Sequence, residues 1–156
     1  AGAFTTDWRE APRVAAKLGE EARDLGKRTA ELGRELARLR AIELAAPTGS
    51  VAGYAVVKRI VESTDAASLG EVASNIRQAE RTIVLLGTSG PPPALVFGCS
   101  PGVPLDMGGL MKSCAAAIGA RGGGGKDFAR GGGGDGSRIA EALDEAERLA
   151  REALGA

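Results

Sequence analysis

The residues with the clearest chemical potential lie within residues 119–134, where two runs of four glycines enclose charged side chains. Glycine loses more conformational entropy on folding than any other residue, so a fold retains such runs for positive φ angles or for close approach to the backbone. Backbone amides that no side chain covers, next to the cations Arg121, Lys126 and Arg130, can bind an anion, most readily a phosphate. A flexible linker is the alternative, but linkers are usually rich in serine and rarely carry an apolar residue such as Phe128. We therefore expect an ordered, anion-binding loop.

The chain contains no histidine, and this absence excludes several kinds of catalytic site. A Ser-His-Asp or Cys-His nucleophile cannot be built, and the commonest metal ligand is missing. Cys99 and Cys114 are too few for a zinc site and are expected to be small buried residues of a reduced protein. The aspartates without paired or metal-ligand spacing, expected to cap helices or turns, are Asp65, Asp106, Asp127 and Asp135. We predict no catalytic residue, no metal and no cofactor, which leaves a degenerate phosphoesterase or small-anion binder as the least favoured function.

The formal net charge is zero, with 20 Lys and Arg residues against 20 Asp and Glu residues. Bulk attraction to nucleic acid is therefore not expected, whereas a local basic site is compatible with this balance. The hydrophobic content of 44% is ordinary for a globular protein, and no apolar run is long enough to span a bilayer. There is no signal peptide and the chain begins at Ala1, so we expect a fragment or a processed form. The expected location is the cytoplasm, or an organelle after removal of a transit segment.

A long helix with a heptad pattern is predicted over residues 10–45. The leucines that recur every seven residues are Leu18, Leu25, Leu32 and Leu39. Glycine follows each of the first three leucines, which indicates a surface that another backbone approaches, although each glycine lowers helix stability by about 1 kcal/mol. The apolar leucine stripe is expected to be buried against this domain, against a second copy of the chain or against another protein region. Residues 1–46 are therefore interpreted as an oligomerisation or packing arm.

Residues 47–156 are predicted to form a compact domain after a break that contains Pro47 and Gly49. The predicted strands cover residues 54–61, 82–87 and 94–100, and the last two are expected to form a hairpin. The predicted helices cover residues 66–80, 106–118 and 137–154. The expected fold class is α+β: a long N-terminal helix of coiled-coil type, followed by a small mixed β-sheet packed with helices.

The order of these elements and two short motifs resemble a known family. Residues 108–112 read Gly-Gly-Leu-Met-Lys, and residues 123–130 read Gly-Gly-Gly-Lys-Asp-Phe-Ala-Arg. Residues 51–155 resemble the C-terminal domain of alanyl-tRNA synthetase, in the DHH-associated group, and residues 10–45 are similar to the helical segment that precedes it. The family's loop is one residue longer between Lys126 and Ala129, and it has glutamine where this chain has Arg130. The histidine that the nuclease branch of the group uses at its metal site is absent.

The resemblance implies a non-catalytic module that binds the outer corner of tRNA and forms dimers. In the family, this module thereby couples aminoacylation to editing. The residues that it implies for binding tRNA or another structured RNA are Lys112, Arg121, Gly122, Gly123, Gly124, Gly125, Lys126 and Arg130. Folded RNA is recognised largely through its shape and phosphates, which suits amides and cations. The alternative is a structural or accessory subunit that reuses this domain as a scaffold in a larger assembly, either cellular or organellar.

Overall fold

A computed structural model describes residues 8–156. The sequence also predicts that Thr6 or Asp7 caps the long helix and that Phe4 docks on another part of the protein, but these three residues lie outside the described range. The helices are α1 (Ala11–Leu44), α2 (Ala66–Ile76), α3 (Met107–Ala117) and α4 (Ile139–Ala153). The strands are β1 (Gly49–Val51), β2 (Tyr54–Ile60), β3 (Thr82–Thr88), β4 (Ala94–Cys99), β5 (Arg121–Gly124) and β6 (Phe128–Gly132). The predicted long helix, the three predicted strands and the three later helices are all confirmed within a few residues. Strand β1 was not predicted, and β5 and β6 fall where the sequence predicted a loop.

The six strands form one mixed sheet in the order β1-β2-β3-β4-β6-β5. β2 and β3 pair in parallel, and α2 supplies the crossover that a parallel pair requires. The other pairs are antiparallel, including the predicted β3–β4 hairpin. β3 and β4 are buried along their whole length, which explains their continuous apolar sequences. The α+β class is confirmed.

Side chains alternate between the two faces of this sheet and build two apolar cores. On the first face, Leu85 and Phe97 pack with α3 and α4. On the opposite face, Val84 and Val96 pack with α2 and with the last turns of α1. We call these faces the α4 side and the α2 side. The charged side chains of the sheet therefore act on one side or the other, according to their position in the strand.

Two of the predicted aspartate caps fix the starts of the central helices. The backbone N–H of Ser68 donates to the Asp65 carboxylate at 2.7 Å at the start of α2. The Gly109 N–H donates to the Asp106 carboxylate at 3.2 Å in the first turn of α3. An N-cap of this kind stabilises a helix by about 1 kcal/mol. The bond from the Ser68 backbone lowers the pKa of the Asp65 carboxyl. The two caps confirm the capping role predicted for both residues.

Helix α1 contributes to two compact units, which divide after Glu35. In the unit that begins at Leu36, the helix buries Ala37 and Ala41 against the α2-side core. Leu39 lies on the other side of the helix and is 54% exposed. Small alanine side chains thus make this contact, rather than the leucine stripe. The boundary expected at residues 46–47 stays a prediction about domain organisation.

Candidate nucleic-acid interface

The glycine-rich segment forms a β-hairpin, where the sequence predicted a loop. β5 and β6 pair in register, with Gly123 opposite Arg130 and Gly122 opposite Gly131. The turn at residues 125–127 closes with a hydrogen bond of 2.9 Å from the Gly125 N–H to the Phe128 carbonyl. The sequence also predicts that Phe128 belongs to a short edge strand. Phe128 does begin a short strand, β6, but this strand lies between β4 and β5 and not at the edge. Because β6 also pairs with β4, the hairpin extends the main sheet.

Three of these glycines, Gly122, Gly124 and Gly131, serve the packing of α3 on the hairpin. A Cβ atom on Gly122 would lie 2.7 Å from Cγ of Met111, and one on Gly131 would lie 2.7 Å from its Sδ. On the helix, a Cβ on Gly108 would lie 2.5 Å from the Gly124 carbonyl oxygen. Distances this short are not tolerated in a packed interior. The glycine run therefore lets a helix lie directly on two strands, which is a packing role that the anion-binding interpretation did not include.

The N-terminus of α3 is not open to an anion. The Met107 N–H donates to the Lys126 carbonyl and the Gly108 N–H to the Gly125 carbonyl, each at 2.9 Å. Asp106 binds the next amide. The first amides of the helix, which often bind phosphate in other proteins, are thus all satisfied by the protein.

Two glycine amides do face outward. In an antiparallel ladder, residues alternate between those that bond to the partner strand and those that point away from it. Gly125 bonds to Phe128, so Gly122 and Gly124 direct their N–H groups away from β6. β5 is the last strand of the sheet within residues 8–156, so these amides lie along its outer edge. They are the part of the expected amide cradle that the hairpin leaves accessible.

Three of the predicted cations converge on the hairpin. Arg130 and Phe128 lie on the α2 side, and the register places Arg121 on the same side as a diagonal neighbour of Arg130, with Cβ atoms about 7–8 Å apart. Lys112 starts from α3, but its Cε lies 3.7 Å from the position of a Cβ on Gly123, so its end reaches the edge strand. Arg121, Arg130 and Lys112 are exposed.

Lys126 is separate from these three cations. It lies in the hairpin turn, where it lines a cleft of about 440 Å³ together with the carboxylate residues Asp106 and Asp127. Negative charge close to Lys126 reduces its attraction for a phosphate. The structure therefore places Lys126 at the end of the hairpin and the other predicted cations along its length.

The hairpin cations lack carboxylate partners. Within residues 8–156, Lys112, Arg121, Lys126 and Arg130 form no ion pair. An unpaired cation on an exposed strand keeps its full attraction for an external anion. The neutral net charge of the chain thus conceals a local excess of positive charge at this hairpin.

A fifth cation, Arg77, was missed by the sequence-based reasoning. It follows the last residue of α2, and its Cζ lies 5.3 Å from the centroid of the Phe128 ring. Arg130 lies 5.2 Å from the same ring. In the sequence, Arg77 resembles any basic residue near the end of a helix. The only hint of a contact between a cation and an aromatic ring was the position of Phe128 between Lys126 and Arg130.

The structure provides no arrangement for metal or thiol chemistry in the part of the chain that it describes. No group of three potential ligand side chains among residues 8–156 could hold a metal ion. Cys99 and Cys114 are buried and unpaired, as predicted, and burial raises the pKa of each thiol to about 11. Both are therefore protonated at neutral pH and unreactive.

No helix among residues 8–156 is both long and apolar enough to cross a membrane.

The heptad leucines of α1 are exposed. Leu18, Leu25 and Leu32, in the first compact unit, are 60%, 63% and 71% exposed. A Cβ on any of the three glycines that follow them would meet nothing within 4 Å. Within the described part of the first compact unit, these glycines thus have no packing role and the leucines beside them are exposed.

Comparison with known proteins matches residues 52–152 to the DHHA1 domain family. The chain belongs to this family. It is 36% identical over 152 residues to the alanine–tRNA ligase of Xanthomonas oryzae pv. oryzae (strain PXO99A), and 37% identical over 147 residues to that of Xanthomonas axonopodis pv. citri (strain 306). These alignments cover 90% and 87% of the chain, but the chain spans only 17% of the length of either relative. The predicted resemblance to the alanyl-tRNA synthetase C-terminal domain is confirmed.

Two solved structures share the fold of this DHHA1 domain. The C-Ala domain of Aquifex aeolicus alanyl-tRNA synthetase matches 69% of the chain and 97% of its own length, with a TM-score of 0.58 and 21% identity. A DHH-domain member of the s1p family of ribosomal proteins matches 76% of the chain and 31% of its own length, with a TM-score of 0.50 and 15% identity. At these identities the likeness concerns the fold alone.

Proposed function

We propose that this DHHA1 domain is a non-catalytic tRNA-binding module, which acts as part of an alanyl-tRNA synthetase or an alanyl-tRNA editing protein. The observation that carries the proposal is the cluster of cations without carboxylate partners along the β5–β6 hairpin. Membership of the DHHA1 family and identity to alanine–tRNA ligases support tRNA as the polyanion. The proposed location is the cytoplasm, where a bacterial ligase of this kind acts.

The proposed interface is the outer edge and the α2 side of the hairpin. Arg121 and Arg130 would contact phosphates, Lys112 would reach the same strand from α3, and the outward amides of Gly122 and Gly124 would add hydrogen bonds. Such contacts position an RNA by its backbone without reading its sequence. Binding should therefore depend strongly on salt.

The test is a binding titration of the 156-residue chain with a fluorescently labelled alanine tRNA transcript. We expect the double substitution Arg121→Ala and Arg130→Ala to weaken binding about tenfold or more and to reduce its salt dependence, because both follow from the loss of phosphate contacts. A matched control removes two arginines that carboxylates hold on α4, Arg138→Ala and Arg151→Ala. Equal affinity of the wild type and the hairpin variant would overturn the proposal.

We also propose that α1 joins two copies of the chain. The exposed leucines support this, because a heptad stripe is complementary to a second copy of itself. Sedimentation of the wild type should give a dimer, and the substitutions Leu25→Glu and Leu32→Glu should give a monomer with an unchanged domain. A monomeric wild type would contradict the dimer and would favour the alternative, a scaffold subunit held by a different protein.

A further inference from the structure

Two arginines lie against Phe128, and we call these three residues the Phe128 site (Arg77, Phe128 and Arg130). The ring is half-buried on the α2 side of β6, next to the α2-side core. Both guanidinium carbons lie within 5.3 Å of its centroid. Two like charges held against one ring repel each other, and cation–π attraction offsets only part of this repulsion. An anion between the arginines would remove it.

Two buried glycines outside the hairpin provide space for these guanidinium groups. On α2, a Cβ on Gly70 would lie 2.6 Å from Nη2 of Arg130. On β4, a Cβ on Gly98 would lie 3.2 Å from Cδ of Arg77 and 3.3 Å from Cδ2 of Phe128. Gly98 is also the residue that pairs with Phe128 in the sheet. The arginines thus lie in defined positions on the surface of the domain.

The hydrogen bonds of the Phe128 site leave most of its donors open. Nη1 of Arg77 donates to the Cys99 carbonyl at 3.3 Å and to the Asp127 carbonyl at 3.5 Å. These bonds anchor one nitrogen and leave the others without an acceptor in residues 8–156. Arg130 donates to no protein acceptor in the same residues. A guanidinium group carries five N–H donors in a fork that matches the oxygens of a phosphate.

The charges around the Phe128 site favour an external anion. The side chain of Asp127 is the acidic neighbour on the same strand connection, but it forms no ion pair with either arginine. The carboxylates of α4 lie on the opposite side of the sheet. Glu71, next to Gly70 on α2, is an acidic residue on the α2 side, and within residues 8–156 it forms no ion pair with either arginine.

From these contacts we propose that Arg77 is an RNA-binding residue, and that Arg77 and Arg130 together bind the backbone phosphates of one RNA strand across Phe128. The proposal rests on the proposed tRNA-binding function and extends the interface from the hairpin to the C-terminal end of α2. Phe128 is a positioning residue in this site, because it holds both guanidinium groups. Gly70 and Gly98 leave the room that the arginines occupy.

The first test compares Arg77→Ala with Arg81→Ala. Arg81 is a matched control, because it also lies over an aromatic ring, Tyr54 at 4.8 Å, and donates to a backbone carbonyl, that of Gly53. Tyr54 is on β2, with β3 and β4 between it and β6, and within residues 8–156 no second arginine lies over its ring. Binding of the labelled alanine tRNA transcript is measured by fluorescence anisotropy at several salt concentrations, with thermal melting of each variant as a check on folding.

We expect Arg77→Ala to weaken binding about tenfold and to reduce the slope of log affinity against log salt by about 1, as for a lost phosphate contact. Arg81→Ala should change neither quantity. Equal affinity and slope for the two variants, with a wild type that binds, would overturn the role of Arg77 and leave the tRNA-binding function standing. A wild type that does not bind the transcript would instead overturn the function itself.

A second variant tests position without changing charge. Gly70→Ala places a methyl group where the Arg130 guanidinium lies, and it sits inside a helix, where alanine is favoured over glycine. We expect weaker tRNA binding, by about threefold to tenfold for a displaced charge-assisted contact, together with an equal or higher melting temperature. Wild-type affinity in Gly70→Ala would contradict a defined site on Phe128. Addition of inorganic phosphate alone should compete only weakly, whereas full competition would assign the site to a free anion and overturn the RNA assignment.

Discussion

Cations on α4 and cations around the β5–β6 hairpin have opposite surroundings. On α4, Arg148 is held between Glu145 and Glu152, and Arg151 binds Glu147 at 3.1 Å. Lys58, on the neighbouring strand, binds Asp144 at 2.7 Å and Glu147 at 2.5 Å. Within residues 8–156, the hairpin cations and Arg77 have no such partners.

This difference shows that a net charge of zero does not describe how the charge is used. α4 contains five carboxylates and two arginines, so its own cations are neutralised locally. The hairpin, on the other side of the same small domain, keeps its cations for an external partner. The two faces of the sheet separate these surfaces, and a polyanion should approach from the α2 side.

The largest expected effect tests whether the hairpin glycines serve packing or binding. Gly122→Ala would place a Cβ 2.7 Å from Cγ of Met111 and 2.8 Å from the Gly131 backbone. We expect a loss of about 2 kcal/mol in the free energy of unfolding, measured by urea denaturation, because the overpacked backbone cannot move aside easily. Gly123→Ala is the control, since its Cβ would meet only Lys112 Cε at 3.7 Å. Similar stability of the two variants would refute the packing role.

A second prediction converts the hairpin into a surface like that of α4. Gly123 lies opposite Arg130, so Gly123→Asp would place a carboxylate beside the unpaired guanidinium without removing a cation. We expect tRNA affinity to fall about tenfold, because the new charge both pairs Arg130 and repels phosphate. Gly123→Asn has the same size and no charge, and it should bind within about twofold of the wild type. If Gly123→Asp and Gly123→Asn weaken tRNA binding equally, the charge at this position does not determine the affinity.

The smallest effect is expected for Lys58→Met on β2, which removes a cation that is paired with carboxylates of α4 and lies outside the proposed RNA interface. Asp144, and then Glu147, raise the pKa of Lys58 above 10.5, and Lys58 holds the pKa of Glu147 below 4.5. The stabilisation by this cluster is therefore complete between about pH 4.5 and 10.5. It is lost as the pH falls through the lowered pKa of Glu147 or rises through the raised pKa of Lys58.

We expect Lys58→Met to lower the free energy of unfolding by at most about 1 kcal/mol at pH 7, since the pair is partly exposed. The difference from the wild type should shrink at pH 3, because protonation of Glu147 increases as the pH falls and weakens its pair with Lys58. Urea denaturation at the two pH values measures it. A constant difference across pH would assign the effect to packing of the side chain, and tRNA binding should not change in either case.

The sequence was sufficient for features that depend on neighbouring residues. The heptad leucines predicted α1, the capping aspartates Asp65 and Asp106 predicted the starts of α2 and α3, and apolar runs predicted β3 and β4. β1 was missed because it has three residues, two of them Gly49 and Ser50, and it forms only by pairing with β2. The glycine hairpin was taken for a loop because glycine has a low strand propensity, which packing against α3 overrides.

By itself, the sequence determined the class of fold, the absence of histidine chemistry and the presence of exposed leucines and cations that need partners. Each follows from composition or from spacing within one element. Only the tertiary structure decided which cations act together. It separated Lys126 from Arg130, although they are four residues apart, and brought Arg77 to Phe128 and to Asp127, which is 50 residues away in the chain. The physical reason is that strand register and helix docking determine which side of the sheet each charge occupies, and no local pattern encodes that choice.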